Sequence, residues 1–300
     1  MGKTEKGNKC LNIGGQALVE GLMIKSPNYL SVSVRKPNNS IKTKVERFTS
    51  YTKRHKILGL PFIRGITILF EMLFTGMKQL IYSTNEQEED DEESLSGWHI
   101  FFTVILSLVF AIFLFKALPL FLTKIIDKSF NMSTVGFNLI DGAIRISVFL
   151  LYIIAISFMS DVKTLFQYHG AEHKTIACYE SGKKLTPENV KKFSTLHPRC
   201  GTSFVVFTLI ISILVFSLIP SSNNYVALFF YRLPLLFPIA GLSYEFLKFS
   251  ARFEKYWLFR QFTKPGLFIQ KITTIEPNKQ QIEVAIDCIK KLLKKEGVSS

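Results

Sequence analysis

The stretch IFFTVILSLVFAIFLFKALPLFL, from Ile100 to Leu122, decides the fold class. It contains one charged residue, Lys116, and it is as long as the run of about 20 apolar residues that a helix needs to cross a bilayer. A soluble domain of ordinary size does not need an apolar run of this length for its core. The sequence therefore predicts a membrane protein that is mainly α-helical.

Three further apolar blocks follow the first one. We expect spans from about Val135 to Ser160, from Ser203 to Ile219 and from about Val226 to Phe249. A shorter segment, Ile66 to Ile81, contains Glu71 and is predicted to lie at the membrane interface or to be re-entrant. The predicted fold class is thus a membrane protein with four transmembrane helices.

The distribution of Lys and Arg predicts how these spans are oriented. Residues 1–60 hold 12 basic side chains, residues 161–202 hold 7 and residues 251–300 hold 10. The loop before the second span holds only Lys124 and Lys128. The positive-inside rule therefore places both termini and the central loop in the cytoplasm. The lipid bilayer and its anionic headgroups are the expected partners, and a translocon or a ribosome would offer the basic segments a similar negative surface.

The polar ends of the chain predict a small cytoplasmic α+β part. Alternation over Tyr29–Lys36 and Ile41–Phe48 predicts a β-hairpin, and Leu267–Ile275 is rich in β-forming residues. Asn278 can cap an amphipathic helix from about Lys279 to Lys295. The predicted organisation has four parts: 1–60 with the hairpin, 61–98 with the interfacial helix and an acidic linker, 99–250 with four spans and the loop 161–202, and 251–300 as the tail with the amphipathic helix.

The segment Tyr168-His169-Gly170-Ala171-Glu172-His173-Lys174 carries the clearest chemistry of the sequence. On a helix, His169 and His173 at i and i+4 share one face. Two imidazoles at this spacing can bind one divalent ion, zinc in the first place, and the neighbouring Glu172 can act as a general base. The order His-x-x-Glu-His is the inverted zincin pattern.

A metal site of this kind needs further ligands. Thr186-Pro187 predicts the start of a short helix that would reach about Leu196 and return the chain to the histidine pair. His197 and Cys200 follow directly and are candidate ligands, and Glu245 at the end of the fourth predicted span is another. The candidate metal ligands are therefore His169, His173, His197, Cys200 and Glu245, with Glu172 as the catalytic candidate.

Two classes of function fit this pattern. The first is a metal-dependent membrane enzyme with a hydrolase-type site at the cytoplasmic membrane face. The second is a non-catalytic scaffold or interaction protein with a structural metal, which would serve membrane-protein biogenesis or the membrane surface. A site closed by four protein ligands would favour the second class, because it leaves no open position on the ion.

Charged residues inside the predicted spans are the remaining signal. Asp141 and Arg145 stand at i and i+4 of the second span, so we expect them to pair and to face the other helices. Arg232 lies toward the outer end of the fourth span, where we expect its side chain to reach the interface. Gly14-Gly15 with Gly21 is interpreted as a tight turn near the membrane surface.

Several blocks together resemble one bacterial family. They are GGQALVEG at 14–21, YHGAEHK at 168–174, HPRCGT at 197–202 and KPGL at 264–267 with Thr273-Thr274. In combination they resemble the YqhQ-like family, the domain of unknown function 1385, from about Asn12 to the last helix. That family is described as predicted metal-dependent membrane proteins. The resemblance implies a bacterial cytoplasmic membrane and a metal, but it implies no reaction.

Overall fold

The computed structural model describes residues 11–88, 97–219, 224–253 and 256–298. Within these ranges the strands are β1 Gly14–Leu18, β2 Gly21–Lys25, β3 Tyr29–Arg35 and β4 Ile41–Arg47. The α-helices are α1 Tyr51–Arg54, α2 Ile63–Asn85, α3 Gly97–Ile112, α4 Leu118–Phe130, α5 Thr134–Ser157, α6 Ser160–Glu180, α7 Pro187–Val190, α8 Gly201–Ser217, α9 Tyr225–Arg232, α10 Leu236–Arg252, α11 Trp257–Thr273 and α12 Lys279–Glu296. A π-helical turn, Phe113–Ala117, joins α3 to α4.

The four strands form an antiparallel meander in the order β1-β2-β3-β4. The predicted hairpin is β3 with β4, and Arg35 lies opposite Ile41 at its turn. The segment predicted as a tight turn at Gly14 is instead strand β1, which a two-residue connection joins to β2. The second residue of that connection, Glu20, has a φ of 46°, a left-handed conformation that closes the turn.

The sheet is covered on both faces. Leu22 and Ile24 of β2 pack into a cluster with Val284 and Ile289 of α12, and this cluster includes residues of α6. The intervening Met23 lies in a second cluster, which residues of α2 cover. Alternating side chains of one strand therefore enter two different cores, which explains why β2 reads as a continuous apolar run.

Helix α12 completes the small α+β part that the sequence predicts. A capping box starts it: the Gln281 N–H donates to the Asn278 side chain at 2.9 Å, and the Asn278 N–H donates to the Gln281 side chain at 2.8 Å. Gly297 ends the helix in a left-handed conformation with a φ of 73°.

The strand predicted within Leu267–Ile275 is wrong. Most of this segment lies in α11, and Ile269, Gln270 and Thr273 are buried at helical spacing. Helix α11 packs closely on α8, where a methyl group on Gly266 would lie 2.3 Å from Ser203 Oγ. Tertiary packing of this helical face therefore overrides the local β propensity.

The apolar blocks of the sequence form helices. Phe101–Phe130 with its π-helical turn is one apolar helix of 30 residues, and Thr134–Ser157 is another of 24 residues. Helices α9 and α10 are bent by 46° relative to one another at their break, and α8 is a shorter apolar helix of 17 residues. By length and composition, the described residues contain two helices able to cross a membrane, or three when the bent pair counts as one span.

Helix α2 contains the predicted interfacial segment and is longer than expected. Its buried Glu71 accepts hydrogen bonds from Ser50 Oγ at 2.8 Å and from the Tyr51 N–H at 3.0 Å. Leu73 and Phe74 are exposed. Polar contacts therefore join α2 to the segment that follows β4. Another part of the helix surface is apolar and exposed.

One carboxylate and two arginines of the apolar helices pair inside the protein. Arg145 Nη2 donates to Asp141 Oδ2 at 2.5 Å, which confirms the predicted i, i+4 pair. Arg232 corrects a prediction, because its side chain is buried and does not reach an interface. It donates to Asp141 Oδ2 at 3.1 Å and to Asn138 Oδ1 at 2.5 Å.

Candidate metal centre

Helix α6 carries the central histidine motif, as the sequence predicts. The rings of His169 and His173 lie one helical turn apart, with their centroids separated by 4.4 Å. Between them, a methyl group on Gly170 would lie 2.1 Å from the carbonyl oxygen of Ile275. The chain after α11 therefore crosses α6 at this point, and only a glycine leaves room for it.

Backbone carbonyls fix the tautomer of both imidazoles. His169 Nδ1 lies 2.9 Å from the carbonyl oxygen of Thr273, and His173 Nδ1 lies 2.5 Å from that of Thr195. A carbonyl oxygen can only accept, so in the neutral rings each Nδ1 carries the hydrogen and each Nε2 is the acceptor nitrogen. Metal-binding histidines in proteins are oriented by the same kind of Nδ1 contact.

Cys200 supplies the third potential donor. Its Sγ lies 3.1 Å from His169 Nε2. One ligand atom each from His169, His173 and Cys200 lies within 4.8 Å of the others. Two imidazoles and one thiolate form a donor set that suits zinc, and adjustments of about 1 Å would bring all three to one ion. The residues present therefore fit a metal site, and three ligands leave a fourth position open.

The loop that brings Cys200 back to α6 contains little helix and is stabilised mainly by polar contacts. Only Pro187–Val190 is helical, so the helix predicted to reach Leu196 ends six residues early. Lys174 anchors the loop, since its Nζ donates to the carbonyl of Lys191 at 3.0 Å and pairs with Glu276 at 2.6 Å. Cys200 then stands at the N-cap of α8, where the chain turns into the apolar helix.

Gln270 of α11 is a buried positioning residue that sequence reasoning missed. Its side-chain amide accepts from the His197 N–H at 2.8 Å and donates to the His197 carbonyl at 2.9 Å. The amide of Gln270 thus forms hydrogen bonds with both the N–H and the carbonyl of His197, as the backbone of a neighbouring strand would. The Thr273 carbonyl that holds His169 was missed as well; Thr273-Thr274 among the family-like blocks was its only signal in the sequence.

His197 lies beside the three donors, but its nitrogens face elsewhere. Its ring centroid is 5.6 Å from that of His173. Its Nδ1 accepts from the Arg199 N–H at 3.4 Å, and its Nε2 lies 3.5 Å from Glu180 Oε2. His197 is therefore placed next to the centre without belonging to the group of converging donors.

Glu245 lies in a different contact. Its carboxylate pairs with Arg64, whose Nε donates at 2.7 Å, and it accepts from the Phe62 N–H at 3.2 Å. These bonds join α10 to the start of α2. Among the described residues, Glu245 is not part of the group that the histidines and Cys200 form.

Glu172 is buried beside the three donors. Burial raises the pKa of its carboxyl group, while the nearby His169 and His197 and a hydrogen bond from the Gly15 backbone oppose that rise. Strand β1 covers it so closely that a methyl group on Gly15 would lie 3.0 Å from Glu172 Oε1. A carboxylate with a raised pKa can accept a proton at neutral pH, which is what a general base needs.

Burial acts in the opposite direction on His173. It lowers the pKa of the imidazole, an effect that the hydrogen bond with Cys200 opposes. A lowered pKa favours the neutral ring at physiological pH. Only the neutral ring has the Nε2 lone pair that a metal ion requires.

Comparison with known proteins identifies the family to which this chain belongs. Residues 60–295 match the family model described as "Protein of unknown function (DUF1385)", so the chain belongs to that family. This membership agrees with the resemblance seen in its sequence blocks.

One individual protein is similar to this chain over almost its whole length. It is the Bacillus subtilis (strain 168) protein named "Uncharacterized protein YqhQ". It is 32% identical to this chain over 304 residues, and the match covers 95% of this chain and 93% of the relative. No solved structure matches the chain.

Proposed function

We propose that this protein is a metal-dependent membrane enzyme of hydrolase type, with His169, His173 and Cys200 as metal ligands. The observation that carries the proposal is the convergence of these three donors within 4.8 Å, with both imidazoles locked by backbone carbonyls. A zinc-like ion bound there would act as a Lewis acid that polarises the bond to be broken and acidifies a water molecule.

The protein's own residues would then supply orientation and proton transfer. Glu172 is not one of the converging donors, so its carboxylate is free to accept a proton from the attacking water. Strand β1 packs closely on that carboxylate at Gly15. Thr273 and Thr195 keep the imidazoles from rotating, which preserves the geometry between turnovers.

A structural metal site in a scaffold protein is the second candidate. The observation in its favour is burial: Glu172 is 5% exposed and His173 is 2% exposed, which leaves a bulky substrate little access. In this reading the ion would contribute to folding by joining α6 to the loop before α8. Its partners would be the membrane surface, a translocon or a ribosome.

The location follows from charge and hydropathy. We place the chain in the bacterial cytoplasmic membrane with four spans, namely α3–α4, α5, α8 and the bent pair α9–α10. The basic segments 1–60, 161–202 and 251–300 and both termini would then lie in the cytoplasm. The metal centre, in the second of these segments, would work at the cytoplasmic membrane face near anionic lipid headgroups.

Metal analysis of the purified protein tests the site. We expect about one zinc-like ion per chain in the wild type and its loss in the double variant His169→Ala, His173→Ala, because two of three ligands are removed. His197→Ala is the matched control, since its nitrogens face Glu180 and Arg199. Equal metal content in the wild type and the double variant would refute the proposal.

The variant Glu172→Gln separates the two candidates. It keeps the size of the side chain but removes the base, so an enzyme should retain its metal and lose activity by about 10²- to 10⁴-fold. The measurement is complementation of a deletion strain together with metal content. A scaffold would tolerate this change and would instead lose its fold with any of the three ligands.

A further inference from the structure

A second polar cluster lies between the apolar helices, apart from the metal ligands. Asp141 and Arg145 stand in the first half of α5, Arg232 ends α9, and Lys116 lies in the π-helical turn between α3 and α4. Three separate parts of the chain therefore contribute charged side chains to one apolar region. Such groups are costly in a membrane and usually mark a functional path or site.

The two arginines are fixed by one carboxylate. Arg145 and Arg232 both donate to Asp141 Oδ2, at 2.5 and 3.1 Å. Arg145 also donates to Ser212 Oγ at 3.0 Å, and Arg232 to Asn138 Oδ1 at 2.5 Å. These bonds hold both guanidinium groups in defined positions, as a binding site requires.

The three cations surround a single aromatic ring. Lys116 Nζ lies 4.2 Å from the ring centroid of Phe216, and the guanidinium carbons of Arg145 and Arg232 lie 5.2 and 4.8 Å from it. One carboxylate, Asp141, faces these three basic side chains, which leaves an excess of two positive charges when all of them are protonated. Like charges this close in an apolar region repel strongly, and an anion between them would relieve that repulsion and keep Lys116 protonated.

Some hydrogen-bond donors of the cluster also have no acceptor. Lys116 Nζ, Arg145 Nε and Arg232 Nε are buried and have no hydrogen-bond partner within the described part of the chain. Lys116 owes its position to a π-helical turn, an irregularity that occurs frequently at functional sites. Asp141 Oδ1 also has no hydrogen-bond partner among the described residues, so three unused donors stand against one unused acceptor. The surplus of donors and the surplus of basic side chains both favour an anionic ligand.

We propose that Lys116, Arg145 and Arg232 bind a phosphate group between the apolar helices. A phosphate monoester carries close to two negative charges at neutral pH, which matches the excess of the cluster. Its oxygens accept charge-assisted hydrogen bonds from guanidinium and ammonium groups. Inorganic phosphate and a phosphomonoester lipid share this chemistry, and the experiment distinguishes them.

The test uses the full chain in detergent and the variant Lys116→Gln. The Lys116 side chain makes no hydrogen bond to the described residues, so its replacement breaks none. Lys124→Gln is the matched control, because Lys124 also lies over an aromatic ring, that of Tyr225 at 4.4 Å. The thermal unfolding midpoint is followed while sodium phosphate replaces sodium chloride at constant ionic strength. In parallel, native mass spectrometry counts lipids retained from phosphatidylcholine vesicles with and without phosphatidic acid.

A saturable rise of the midpoint with phosphate supports the proposal with a soluble ligand. Selective retention of phosphatidic acid supports it with a lipid ligand. In either case Lys116→Gln should weaken binding by about tenfold and Lys124→Gln should not. Absence of both effects in the wild type, or equal binding by Lys116→Gln, would overturn it.

Discussion

Gly14 and Gly15 are neighbours in β1, but only one of them lies against the candidate metal centre. A methyl group on Gly15 would lie 2.3 Å from the Met23 carbonyl and 3.0 Å from Glu172, whereas nothing lies within 4 Å of one on Gly14. We expect Gly15→Ala to destabilise the protein by about 1–3 kcal/mol and to lower its metal content. Gly14→Ala is the control and should be close to wild type. Thermal unfolding and metal analysis of both variants provide the measurement.

At the same scale, local spacing predicted part of the site. His169 and His173 are one helical turn apart, so their juxtaposition needs only a helix. Cys200 could be predicted as a ligand because it lies in the same loop, residues 161–202, as the two histidines. The assignment of Glu245 could not be judged from the sequence, since its pairing with Arg64 depends on how α2 packs on α10. Gln270 and Thr273 were missed because they act on residues more than 70 positions away and leave no local pattern.

Among the elements, helix α12 was predictable because its start and its periodicity agree. Its capping box makes a direct test possible. Asn278→Ala removes the acceptor of the Gln281 N–H, so we expect a loss of about 1 kcal/mol in the free energy of unfolding. Lys279→Ala, an exposed change in the first turn of the same helix, should cost little. A denaturant titration that shows equal stability for both variants would contradict this role of the cap.

Elements whose structure depends on distant packing were harder to predict. Helix α11 contains β-forming residues, yet it is helical because its buried face packs on α8. Strand β1 begins with two glycines that suggest a turn, but β2 provides a partner for every backbone position from Gly14 to Leu18. In both cases the decisive contact comes from another element and not from the local sequence.

For the whole molecule, the apolar segments of the sequence form helices, but helix length does not decide how many of them are spans. Helix α8, with 17 residues, is about 26 Å long, slightly less than the roughly 30 Å of a hydrocarbon core. The bend between α9 and α10 shortens the distance that this pair covers. Length alone therefore does not decide whether these helices cross, and their charges must be considered as well.

Labelling of the full-length chain in intact cells tests the four-span topology. A membrane-impermeant maleimide should react with Ser129→Cys, in the last turn of α4, and with Asn224→Cys, directly before α9, because this topology places both outside. It should not react with Lys184→Cys until the cells are opened. The physical reason is the excess of Lys and Arg in residues 161–202, which resists translocation. If α8 and the bent pair α9–α10 remain on one side, Asn224→Cys would be protected in the same way as Lys184→Cys. That result would leave two spans, α3–α4 and α5. Labelling of Lys184→Cys in intact cells would contradict the topology itself, because it would place the candidate metal centre outside the cytoplasm.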